Sequence, residues 1–176
     1  MIILYTKKFQ EFLELKTNLL QENFINEDAV WHGNIFLIDR KKVLQLTHEA
    51  SRYTIFIHGI TKKDLPQLHK IILEHLRYHM LKDCIPLREM KYIDSMSNEA
   101  FSYFKRTNRS VLSTMKNMKL VYESNYYANE PLSDKEISHH INSMIFTIDG
   151  EYRHPIKVFK EYMSEAVDIR EINKST

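Results

Sequence analysis

The clearest pattern in the chain lies between Trp31 and Ile60, WHGNIFLIDRKKVLQLTHEASRYTIFIHGI, where short apolar runs are separated by brief polar connectors. Asn34 to Asp39 is one run, Val43, Leu44 and Leu46 mark a second, and Tyr53 to His58 is a third. In the third, Tyr53, Ile55 and Ile57 fall on one face of an extended chain and Thr54, Phe56 and His58 on the other. Short runs rich in β-branched and aromatic residues favour strands over helices. Asp39 to Lys42 has hairpin length but lacks the Asn-Gly or Asp-Gly pair that would identify its turn type. His48 to Arg52 forms the next connector. Connectors this short predict antiparallel neighbours, because a parallel crossover needs a dozen or more residues. The stretch therefore predicts a three-stranded meander at the centre of a sheet.

On either side the period changes. Met1 to Thr6 predicts a first strand, and Thr6 an N-cap for a helix from Lys7 to Leu20 carrying Phe9, Phe12, Leu13, Leu15, Leu19 and Leu20. Asn23 to Val30 is polar and predicts a loop. Thr61 and Asp64 resemble a capping box for a helix from about Asp64 to Lys82, with Leu65, Leu68, Ile72, Leu76 and Met80 as its buried stripe. Pro66 fits the first turn, and Pro86 ends the pattern. Leu87 to Asn98 selects no element. Ala100 to Arg106 alternates as a strand. Thr107 or Asn108 then caps a helix from Arg109 to about Tyr127, with Val111, Leu112, Met115, Met118, Val121 and Tyr122 on its apolar side and Asn129-Glu130-Pro131 as its stop.

Ser133 and Glu136 fit a capping box for a helix from Asp134 to about Ser143. The apolar Ile145, Phe146 and Ile148 precede a turn at Asp149-Gly150. A last helix from Pro155 carries Ile156, Val158, Phe159, Tyr162 and Met163, and Asn173 to Thr176 is expected to fray. The expected fold is a single α+β domain over residues 1–172, with an antiparallel sheet of about four to six strands and about four or five helices. Trp31 is expected to be buried beside the first hairpin, in one core with Phe9, Phe12, Ile55, Ile57, Leu68, Ile72 and Leu76.

Composition narrows the class of protein. A chain of 176 residues has single-domain length and buries roughly 70% of the surface that its unfolded form exposes. The one cysteine, Cys84, excludes an internal disulfide framework and suits a reducing cytosol. Its place between a helix end and Ile85-Pro86 predicts a packing role. No apolar run approaches the roughly 20 residues of a membrane span. The apolar run in MIILYTKKFQEF is too short, and precedes rather than follows its basic pair, for a signal peptide. The expectation is a cytoplasmic protein without a membrane partner. A net charge of +2 gives no global argument for nucleic acid, so such contacts would need local clusters.

Such clusters exist. Lys105, Arg106, Arg109, Lys116 and Lys119 share one segment without an acidic residue. Arg109 and Ser110 would occupy the first turn of their helix, where free backbone N–H groups and the helix dipole attract anions. Phosphate fits this chemistry, with Lys105 and Arg106 delivered by the preceding strand. The plainer alternative is a solvated basic face balanced by acids such as Glu99. Arg40, Lys41 and Lys42 form a second cluster at a hairpin tip, where charge also protects sheets from aggregation. Lys62 and Lys63 add a third. Clusters on a common face would suit nucleic acid or an acidic protein, and RNA, DNA or a nucleoprotein is the expected partner.

His48, Glu49, Arg52 and Tyr53 offer a catalytic alternative. A metal-independent ribonuclease needs an acid or base and a cation for the developing charge, although these residues are equally ordinary in a surface turn. His75 and His79 are spaced to bring two imidazoles to one metal, but the metalloprotease glutamate is absent. His139 and His140 diverge on their helix. No metal or other cofactor is expected. Glycine-rich phosphate loops, serine nucleophile motifs and paired-carboxylate signatures are missing. Tyr122, Tyr126 and Tyr127 are expected to pack; exposed, they would mark a protein interface.

Three pieces carry a resemblance. They are Trp31 and Asn34 followed by Asp39-Arg40-Lys41-Lys42 and THEASRY; KRTNRSVLSTMKNM from Lys105 to Met118; and Asn142, Tyr152 and Pro155 before a helix. In this order they resemble an uncharacterised prokaryotic domain family found in bacterial, plasmid and phage proteins. The resemblance spans most of the chain, rests chiefly on NRSVLSTMKNM, and brings no catalytic residue with it. Residues and resemblance together lead to a non-catalytic binding module of phage or mobile-element type that engages nucleic acid or a nucleoprotein. An inhibitor of a bacterial defence complex such as CRISPR-Cas would fit this class. The alternative is a small metal-independent ribonuclease of toxin type.

Overall fold

The computed structural model describes residues 1–15, 30–97, 101–105, 108–128 and 130–174. The elements run β1 (Ile2–Tyr5), α1 (Lys7–Leu13), β2 (Val30–Ile38), β3 (Lys41–His48), β4 (Thr54–Ile60), a 3-10 helix (Lys62–Gln67), α2 (Leu68–Lys82) and α3 (Leu87–Ser97). They continue with β5 (Ser102–Phe104), α4 (Arg109–Tyr126), α5 (Asp134–Ser143), β6 (Phe146–Ile148), β7 (Glu151–Arg153) and α6 (Pro155–Lys174). A five-stranded mixed sheet has the order β4-β3-β2-β1-β5, and β6 with β7 forms a separate two-stranded ribbon. The fold is a single α+β domain.

The predicted meander is β2–β3–β4. Ile38 pairs with Lys41, so Asp39 and Arg40 alone make the first turn. Their φ angles of 45° and 64° are both left-handed, as a type I′ turn requires. The twist of the flanking strands imposes that turn without a glycine. The sheet departs from an all-antiparallel arrangement at β1, which runs parallel to both β2 and β5. The connections explain why: β1 reaches β2 through α1 and residues 14–29, and β5 follows α2 and α3. Both stretches are long enough for a parallel crossover.

Strand alternation divides the core. Ile55 and Ile57 join Phe9, Phe12, Trp31, Leu68, Ile72 and Leu76 in one cluster, completed by Phe159 and Met163 of α6. Phe36, Ile38, Val43 and Phe56 face the other way and meet Met118 and Tyr122 of α4 and Ile137 and Ile141 of α5. Helices thus cover both sides of the sheet. The predicted caps form at Thr6, Asn108 and Ser133, the last with Glu136 as a capping box.

Other expectations need correction. The helix expected from Asp64 opens as the 3-10 turn containing Pro66, and the α-helix starts at Leu68. Leu87 to Ser97, which selected no element, is helical and brings the described α-helices to six. α1 ends at Leu13, followed by Glu14 in a left-handed conformation. The helix expected to reach Leu20 is thus broken at Glu14; residues 16–20 and the loop at Asn23 lie outside the described residues, as do Glu99, Ala100, Arg106, Thr107 and Asn129. Cys84 is exposed rather than packed, because it is the left-handed residue beyond the α2 C-terminus, with φ 54°. α6 continues to Lys174, into the segment expected to fray.

β4 is an edge strand, yet three outer backbone groups in its first half are occupied. The Thr54 N–H donates to Asn142 Oδ1 and Asn142 Nδ2 donates to the Thr54 carbonyl, both at 2.8 Å. Ser138 Oγ accepts from the Phe56 N–H at 3.2 Å. α5 therefore supplies by side chains, at Thr54 and Phe56, what a further strand would supply by backbone, which covers that part of the edge. Asn142→Leu keeps the branching of the side chain and strands two buried backbone groups. Its urea midpoint should fall by the equivalent of about 1–3 kcal/mol for each group. An unchanged midpoint would show that the edge is satisfied in another way.

Candidate functional site

The β3–β4 connector closes tightly. The His48 N–H donates to the Tyr53 carbonyl at 2.8 Å and the Arg52 N–H to the His48 carbonyl at 3.0 Å. This closure places Arg52 in the left-handed region, φ 61°, which costs a residue with a Cβ roughly 1–2 kcal/mol. The Arg52 side chain is only 3% exposed. Nη2 lies 3.3 Å from Ser110 Oγ and 3.3 Å from Asp149 Oδ1, and Nη1 lies 3.4 Å from the Ala50 carbonyl. These contacts are long for hydrogen bonds, and Nε has no partner. Burial lowers the Arg52 pKa from its ordinary value, against the opposing pull of Asp149 and Glu49. A guanidinium remains charged under such a shift.

Glu49 makes the other half of the junction. Its Oε2 lies 3.2 Å from Nε2 of the buried His32, and its Oε1 accepts from Asn108 Nδ2 at 3.0 Å. Asn108 is the N-cap of α4, where its Oδ1 accepts from the N–H groups of Ser110 and Val111 at 3.1 and 3.3 Å. One amide thus caps the helix and anchors the connector. This modifies the expected anion site. The amides of Ser110 and Val111 are already engaged within the chain, and α4 meets the connector's Arg52 guanidinium through the Ser110 hydroxyl.

The four connector residues do not share one site. His48 is fully buried, with the rings of Trp31, Phe159 and Tyr162 at 5.2, 5.3 and 5.2 Å and Nδ1 at 2.9 Å from Ser51 Oγ. Tyr53 stacks on Phe159 at 4.3 Å. Its hydroxyl donates to the buried Asp83, which also meets Nδ1 of His139. Burial, reinforced by Asp83, holds the Tyr53 phenol well above its usual range. Glu49 and Arg52 turn to α4 while His48 and Tyr53 enter the core.

The basic residues separate in the same way. α4 runs from the connector towards the first hairpin. Gln45 Nε2 donates to the Met115 carbonyl at 3.0 Å, the Lys119 ammonium stands 5.2 Å from the Phe36 ring centre, and Tyr127 donates to Asp39 at 3.0 Å. Exposed Arg109 and Lys116 and half-buried Lys119 lie along this path. The path ends beside the hairpin carrying Arg40, Lys41 and Lys42. Lys119 also pairs with Glu123 at 3.1 Å. Lys105 is exposed after β5, on the edge of the sheet opposite β4. Lys62 turns to Glu14 at the end of α1 and leaves the row. Arg106 lies outside the described residues.

Sequence reasoning missed the part played by Asp149, His32 and Asp83. Asp149 was legible only as a turn residue, and no local pattern links it to Arg52. A second polar cluster, also missed, sits by the C-terminal end of α4. Tyr122 donates to Asp134 at 2.6 Å, with His58 Nδ1 at 3.2 Å from the same hydroxyl. His58 stacks on Tyr126 at 5.3 Å, beside a cleft of about 680 Å³.

Fold and junction together define an α+β domain in which polar residues from β2, the β3–β4 connector and the β6–β7 turn converge at the start of α4. A model of a domain of unknown function (DUF6933) matches residues 2–158, and the chain belongs to that family. All four converging segments fall within the match. No curated protein matches the chain. Among the described residues, no helix is long and apolar enough to cross a membrane.

Of the two helix-spaced histidines, His79 is fully buried with neither ring nitrogen partnered. Burial first, then the charges of His75, Lys82, Lys135 and His139, lowers its pKa from 6.5 to about 3. As pH falls from about 6.5 to about 3, the unfolded chain takes up a proton that the folded chain refuses. Stability should therefore drop across that window, at up to about 1.4 kcal/mol per pH unit from this residue. Urea midpoints at pH 7 and pH 5 should diverge for the wild type and converge for His79→Phe. An equal pH response in both proteins would contradict a buried neutral imidazole.

Proposed function

We propose that this chain is a non-catalytic binding module whose α4 side engages the phosphate backbone of a nucleic acid, free or within a nucleoprotein. The observation that carries the proposal is the basic row Arg109, Lys116 and Lys119, which leads from the Arg52 junction to the hairpin bearing Arg40, Lys41 and Lys42. α4 has 18 residues, a span of roughly 27 Å at about 1.5 Å per residue. Cations spaced along such a length suit successive phosphates, which position a protein without reading sequence. The dispersal of His48, Glu49, Arg52 and Tyr53 favours binding over cleavage. The same proposal puts the protein in the cytoplasm and in a phage or mobile element, where binding a nucleoprotein would inhibit a defence complex such as CRISPR-Cas. Cysteine usage and the sequence resemblance support that setting.

Fluorescence anisotropy with labelled RNA and DNA of mixed sequence tests the reading. Arg109→Glu should weaken binding far more than Lys7→Glu, which alters an exposed pair with Glu11 on α1 by the same charge. Each lost phosphate contact should lower the slope of log affinity against log salt by about one unit. Equal effects of the two substitutions would mean that only net charge matters. Unchanged affinity with raised stability in Arg109→Glu would identify a locally unfavourable charge without a ligand.

A further inference from the structure

Resting on the nucleic-acid reading, we propose that Arg52 forms a pocket for the terminal phosphate monoester of a strand, and that Asp149 occupies this pocket until the phosphate displaces it. The first support is the guanidinium itself. A buried arginine is best satisfied by two oxygens of one planar or tetrahedral anion, bound in parallel by its N–H fork. Asp149 offers one oxygen to Nη2 at 3.3 Å, from a side chain that is 77% exposed. Nε, adjacent in the same fork, is buried without a partner. One edge of the fork is thus half used, on a residue only 3% exposed.

The second support is the segment that carries Asp149. β6 and β7 have three residues each and pair only with one another. Asp149 and Gly150 make their turn, with φ angles of 50° and 90°. A ribbon of two short strands is marginal on its own, so this turn can yield without disturbing the five-stranded sheet. The third support is place. Ser110 Oγ lies 3.3 Å from the same Nη2, and the exposed Arg109 begins the α4 row at this point. A strand lying along α4 therefore brings its end to Arg52.

Charge and shape select the monoester. A phosphodiester carries one negative charge, no more than the carboxylate it must displace, whereas a monoester carries about −1.5 to −2 at pH 7. A diester continues on both sides, but a terminal phosphate continues on one and can enter beneath the turn. In the bound state, Arg52 Nε and Nη2 and the Ser110 hydroxyl donate to the phosphate oxygens, and Asp149 turns to solvent.

The test compares one labelled oligonucleotide carrying a 5′-phosphate, a 3′-phosphate or hydroxyls at both ends, by anisotropy, with inorganic phosphate as competitor. For the wild type, one phosphorylated form should bind about tenfold more tightly than the hydroxyl-ended form. Asp149→Asn should widen that ratio, and Arg52→Lys, which keeps the charge and loses the fork, should collapse it towards one. Circular dichroism checks folding. Asn tolerates the left-handed turn position, so Asp149→Asn carries the test even where Arg52→Lys does not fold. Equal affinity for all three ends, with Arg109→Glu still weakening each, would overturn the pocket and leave the nucleic-acid reading standing. Inorganic phosphate binding as tightly as the strand end would assign the pocket to free phosphate and overturn the strand-end proposal. Failure of every strand to bind would overturn both readings.

Discussion

Taking a guanidinium out of water costs several kcal/mol unless fixed partners replace the solvent, and Arg52 is 3% exposed. Much of the local architecture meets that demand. Ser110 stands at the start of α4 and Asp149 in the turn of a separate ribbon, and both lie 3.3 Å from one nitrogen. Glu49 adds a nearby negative charge while Asn108 ties it to the helix cap at 3.0 Å. The connector accepts a left-handed arginine so that this side chain can reach inward. Strain and incomplete hydrogen bonding then coincide at one residue, the combination on which the anion-pocket proposal rests.

The fold around the junction keeps it in place. β4 begins two residues beyond Arg52, and Asn142 grips Thr54 through both of its backbone groups at 2.8 Å. α5 therefore fixes the exit of the connector as well as covering part of the sheet edge. On the opposite side of the sheet, Trp31, His48, Tyr53 and Phe159 interlock at ring separations between 4.3 and 6.0 Å. Aromatic packing of this kind leaves the flanking residues little freedom. A rigid connector is what lets one exposed carboxylate sit opposite one buried cation.

Much of this was legible locally. Alternation assigned the two faces of β4, and the Thr107–Asn108 and Ser133–Glu136 pairs announced their helix starts, because those signals act within a few residues; the structure selects Asn108 as the cap. The parallel setting of β1 was not legible, since it follows from the length of its connections rather than from the residues of the strand. α3 was obscure because, among its described side chains, only Glu89, Met90 and Ile93 are buried, too few for a clear helical period. At the junction, Glu49, Arg52, Arg109 and Ser110 stood out by charge and position. His48 and Tyr53 were grouped with them by proximity in sequence. Yet the alternation that sets Tyr53 beside Ile55 and Ile57 already directs it to the core. Asp149 joins Arg52 across 97 positions, a contact that only the assembled fold creates.

On this proposal, Arg52 is where an anionic ligand is met. The guanidinium Nε–H gives its own nitrogen–proton correlation in nuclear magnetic resonance, assignable by comparison with Arg52→Lys. During titration with an end-phosphorylated oligonucleotide, that resonance should shift in step with the binding measured by anisotropy, and Asp149 should lose its contact over the same range. A bound oligonucleotide that leaves the Arg52 Nε–H resonance unmoved would contradict the account.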